Sequence, residues 1–78
     1  MNDLATSDMI QQMLGDEQVI DMVFFKDHFG AEQSYHFVLT YVAEDGFRTT
    51  TMAKDPDYHQ AISKLFSQYE KVKQVARN

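Results

Sequence analysis

The residues of this sequence best able to do chemistry are three histidines, and their spacing argues against a metal centre. His28, His36 and His59 fall in an expected turn, on an expected strand and in the first turn of an expected helix. None shows the paired spacing by which one helix or hairpin presents two imidazoles to a zinc ion. The chain has no cysteine, which removes thiolate ligation and thiol nucleophiles. Ser34, Ser63 and Ser67 stand in no nucleophile-elbow context, and Gly15, Gly30 and Gly46 are isolated and do not form a phosphate-cradling loop. Glu44 and Asp45 suit a turn, and Asp55 and Asp57 suit a helix start, so their types are explained without general acid or base work. The expectation is a protein that is not an enzyme, with no catalytic residue, no cofactor and no metal.

The elements that would position any surface can be read from periodicity. Ser7 or Thr6 can cap a short helix running to about Gln12, with Met9, Ile10, Met13 and Leu14 on one face and Gly15 placed to end it. From Gln18 to Lys26 the residues Val19, Ile20, Met22, Val23, Phe24 and Phe25 predict a strand, and a turn containing Gly30 follows over 27–32. A second strand is expected from Ser34 to Val42, where Tyr35, Phe37, Leu39 and Tyr41 alternate with His36, Val38, Thr40 and Val42. Glu44-Asp45-Gly46 signals a tight hairpin into a third strand over Phe47 to Ala53. Asp55-Pro56-Asp57 predicts a helix start with Asp55 as the cap and Pro56 in the first turn. Tyr58, Ala61, Ile62, Leu65, Phe66, Tyr69, Val72 and Ala76 then recur at helical spacing. The fold class is therefore α+β: a three-stranded antiparallel meander with a short N-terminal helix and a long amphipathic C-terminal helix, in the order α-β-β-β-α. At 78 residues, with no repeat or linker, it is expected to be a single domain spanning 1–78.

Alternation assigns two faces to this sheet. One would carry Ile20, Met22, Phe24, Phe37, Leu39, Tyr41 and Phe47, for the long helix to cover. The other would carry Val19, Val23, Phe25, Val38, Val42 and Met52, which is too apolar to face water unless something covers it. The short helix crossing to that side would do so, as would a face-to-face homodimer or another protein. Methionines at 9, 13, 22 and 52 suit either an adaptable surface or ordinary core.

Charge is uneven along the chain. Up to Gln33 seven acids meet one base, and from Ser34 onward five acids meet six bases, which gives −6 and +1 and the net −5 of the whole. An acidic surface disfavours nucleic acid and anionic membrane, and no apolar run reaches the roughly 18–20 residues a membrane span needs. With Met1-Asn2-Asp3-Leu4 lacking the basic and apolar segments of a signal peptide, a soluble, cytoplasmic protein is the expectation.

The order helix, three antiparallel strands, helix is similar to that of the double-stranded RNA binding domain, in topology and without its motif. Where that family sets basic residues at the start of its second helix, this chain has Asp55-Pro56-Asp57 with Lys54 alone beside them.

Three functions from different classes follow. The first is an adaptor or inhibitor whose acids Asp3, Asp8, Asp16, Glu17, Asp27 and Glu32 engage a basic surface on a larger protein, such as a nucleic-acid-processing enzyme in a phage or mobile-element setting. The second is a homodimeric module joined through Val19, Val23, Phe25, Val38, Val42 and Met52. The third is a nucleic-acid binder using Lys64, Lys71, Lys73 and Arg77.

Overall fold

The computed structural model describes residues 5–29, 32–43 and 45–76, the side chains of 29 and 74–76 excepted. The order is α1 (Thr6–Leu14), β1 (Val19–Phe29), β2 (Glu32–Val42), β3 (Arg48–Asp55) and α2 (Tyr58–Ala76). The strands form one antiparallel sheet in the order β1-β2-β3, so the chain is an α-β-β-β-α fold of the α+β class. Of the turn expected over 27–32, residues 30–31 lie outside the described residues and 27–29 and 32 are strand instead; of the second turn Glu44 lies outside them, and the Gly46 N–H closes on the Ala43 carbonyl at 2.9 Å. β1 and β2 run further toward their connection than expected, pairing out to Phe29 with Glu32.

Parity along the strands decides which side chains meet the helices. Met22 pairs with Leu39 and Phe24 with Phe37, and across β2 Phe37 pairs with Ala53 and Leu39 with Thr51. Directly opposed residues share a face, and both helices pack on this one. Met9 and Met13 of α1, Phe37 and Leu39 of β2, Ala53 of β3, and Ala61, Ile62, Leu65 and Phe66 of α2 form the buried core. Met9 and Met13 are thus core, while Met52 is exposed.

The two helices run parallel, as contacts at both ends record. At their starts the Thr6 hydroxyl lies 2.7 Å from Nδ1 of His59, and at their ends Asp16 meets Tyr69 and Lys73. Thr6 therefore serves the helix pair instead of capping α1, whose N-cap position is Ala5 without a side-chain hydrogen bond.

Three local expectations are corrected. Asp55 stays in β3, so the cap of α2 is Asp57, whose carboxylate accepts the Gln60 N–H at 3.3 Å, and Pro56 precedes the helix. Asp55 accepts the Asp57 N–H and binds Lys64 at 2.7 Å, which holds its carboxyl below the usual range. Phe47 stands in the β2–β3 connection, 71% exposed, and covers nothing. In that hairpin Gly46 has φ 88°, a conformation that disfavours any side chain.

Filling one side only makes a slab, 43 × 31 × 18 Å. Stability then rests on few residues. Leu39→Ala should cost about 2–5 kcal/mol, a large share of the total for a domain of this size. Val23→Lys, on the other side of the sheet, should cost under about 1 kcal/mol in the isolated chain. Urea unfolding of the two variants at low protein concentration checks the contrast.

Candidate functional site

The acids expected to form one patch are spread over the molecule. Asp3 lies outside the described residues. Asp8 is exposed on α1, Glu17 is exposed in the turn before β1, and Asp27 and Glu32 sit at the far end of the β1–β2 hairpin. Glu17 and Asp27 are separated by about 30 Å of extended strand. Continuous antiparallel pairing of β1 and β2 out to Phe29 and Glu32 fixes the spread.

Asp16 is engaged from several sides. Its side chain is 10% exposed, and Oδ2 accepts the Tyr69 hydroxyl at 2.7 Å and lies 2.7 Å from Lys73 Nζ. Oδ1 accepts the Gln18 N–H at 2.9 Å. Lys73 also donates to Gln18 Oε1 at 3.0 Å, and the Gln18 amide reaches the Val42 carbonyl at 3.3 Å. This knot ties the loop after α1 to the ends of β2 and α2, around a cavity of about 40 Å³ bordered by Val19, Tyr41 and Val72. That is space for about one or two water molecules.

Burial raises the Asp16 carboxyl's pKa, but the hydrogen bonds from Lys73, the Gln18 N–H and Tyr69, with the charge of Lys73, outweigh it, and the net direction is down. A lowered carboxylate contributes stability above its unfolded value of about 3.9, and loses it as pH falls through the folded value. Asp16→Asn should therefore cost about 1–3 kcal/mol near neutral pH. The gap between variant and wild type should close in acid; thermal melts across pH measure both effects.

The basic residues are also dispersed. Lys64 is held by Asp55 and Lys73 by Asp16, Lys71 is exposed, and Arg77 lies outside the described residues. Asp57 takes up the start of α2, so nothing there presents a phosphate-binding cation row. Among the described residues no group of three His, Asp or Glu is placed to hold a metal, and no helix is long and apolar enough to cross a membrane.

What the fold gathers is the side of the sheet away from the helices. Its central row is Val23, Val38 and Met52, paired across the three strands, and the next row is Phe25, His36 and Lys54. On the other side of the centre come Asp21, Thr40 and Thr50, then Val42 with Arg48. Val23 is 50%, Phe25 45% and Met52 59% exposed, and neither helix lies over them. His36 stacks on Phe25 with ring centroids 4.6 Å apart, and its Nε2 is 3.7 Å from Asp27 Oδ2.

Of the residues expected on this face, Val23, Phe25, Val38, Val42 and Met52 are there, and Val19 is not. The register slips between Val19 and Asp21, so Ile20 is an extra residue, and Val19 pairs with Tyr41 and packs against the core. A bulge reverses the parity of every residue before it. Strict alternation therefore placed Val19 on the wrong side. The face also carries the charged residues Asp21, Asp27, Glu32, Arg48 and Lys54, and the same alternation that marks Val38 marks Asp21, Arg48 and Lys54, to which the sequence pattern gave no joint role.

Compared with known proteins, the chain matches no family model, no curated protein and no solved structure.

Proposed function

We propose that the protein acts by binding protein, and that its working surface is the open face of the sheet centred on Val23, Val38 and Met52. The supporting observation is that an apolar row across all three strands lies uncovered while both helices occupy the opposite side. The exposed apolar surface there is on the order of 300 Å², a size at which patches are often functional. A sheet needs both apolar faces covered, and the chain's own elements cover one. This reading sets aside the acids as a joint site, because Asp16 is engaged internally and Glu17 stands a strand's length from Asp27 and Glu32. A cytoplasmic setting belongs to the same proposal, since a chain without cysteine loses nothing in a reducing compartment.

A photoreactive amino acid at position 23 should give covalent protein adducts, whereas the same group at position 71, exposed on α2, should give few. Equal yields from both sides, or none from position 23, would remove the open face as the binding surface.

A further inference from the structure

We infer that the partner seated on the open face is a second copy of this chain, stacked sheet on sheet about a two-fold axis parallel to β2. The inference rests on the open-face reading above and goes further in naming the occupant. It is carried by the way charge is divided across the face.

On that face the acids of β1 are Asp21 and Asp27, and the bases of β3 are Arg48 and Lys54. β2, between them, contributes Val38, Thr40 and His36. One edge of the face is therefore negative and the other positive, while β2 between them carries Ser34, His36, Val38, Thr40 and Val42, with the acid Glu32 only at its hairpin end. Two aligned sheets can be related by a two-fold axis in the plane between them in two ways. An axis across the strands lays β1 on β1 and β3 on β3, which sets acids over acids and bases over bases. An axis along β2 lays β1 of each copy on β3 of the other.

With the second arrangement Val38 meets Val38 on the axis and Val23 meets Met52 on either side. Asp21 then comes within two residues' rise of Arg48, and Asp27 within the same rise of Lys54, about 7 Å along the strand. Arginine and lysine side chains span such a distance. Sheets pack at about 10 Å with a rotation of about 30°, which carries the hairpin tips, with Glu32, away from each other.

Charge and area both favour a copy over a basic partner. The whole chain carries −5, yet this face holds two bases against Asp21, Asp27 and Glu32, so a copy meets a nearly neutral surface. Three strands about 4.8 Å apart, rising about 3.3 Å per residue, give a footprint of about 15 × 30 Å. With side-chain relief that is about 600–800 Å² per copy, at the lower end of specific interfaces.

The test is a paired charge reversal read by sedimentation over a concentration series, with circular dichroism confirming that each variant is folded. Asp21→Lys with Asp27→Lys, and separately Arg48→Asp with Lys54→Glu, should each weaken self-association at least about tenfold. A one-to-one mixture of the two variants should restore the dimer. Failure of the mixture to recover would overturn the axis, and a wild type monomeric at every concentration would overturn the second copy. In the latter case adducts to another protein from position 23 would leave the open-face reading standing. A dimer indifferent to both reversals and to Val38→Lys would overturn the inference and the reading beneath it together.

Discussion

A three-stranded sheet that is apolar on both faces, in a chain with only one layer of helix, is the constraint on which the rest of this structure depends. Strands alternate their side chains, so covering Phe37 and Leu39 from one side leaves Val38 on the other. A domain of 78 residues hides only about 60% of its unfolded surface. It can build one good core. Both helices go to that core because each is amphipathic with a single apolar stripe, and α1, at about two and a half turns, holds its shape only when packed. Placed beside α2, it buries Met9 and Met13 in the same layer, and among the described residues no helix lies over the opposite face.

The polar contacts that hold this one-sided arrangement lie where the elements end. Asp57 caps α2, Asp55 closes the turn before it by accepting the Asp57 N–H, and Asp16 draws Tyr69, Lys73 and Gln18 into one cluster. Of the acids expected to engage a partner, Asp16 is therefore occupied in making the fold. The proposed surface is accordingly defined by burial and parity instead of by charge count.

Much of the fold was legible because the signals were local. The alternation from Ser34 to Val42, the Asp45-Gly46 hairpin and the helical spacing after Pro56 each specify an element without reference to any other. The two-faced sheet was legible for the same reason, and five of the six residues expected on the second face lie there. Val19 was missed because a bulge at Ile20 depends on how β1 meets the end of β2, which no window of sequence contains. The side taken by α1 was not legible either: its apolar stripe fits either face, and Thr6 with His59, 53 residues apart, share in the choice. The division of charge between Asp21 and Asp27 on one edge and Arg48 and Lys54 on the other was present in the sequence. It acquires meaning only once the strand order puts β2 between them.

A second copy seated on the open face would be visible in methyl NMR of a dilution series. As concentration rises, the methyl signals of Val23, Val38 and Met52 should shift together along one binding curve, while those of Leu39, Ile62 and Leu65 in the core stay nearly fixed. Signals that do not move with concentration, or that move on the helix side while the three open-face residues remain still, would contradict it.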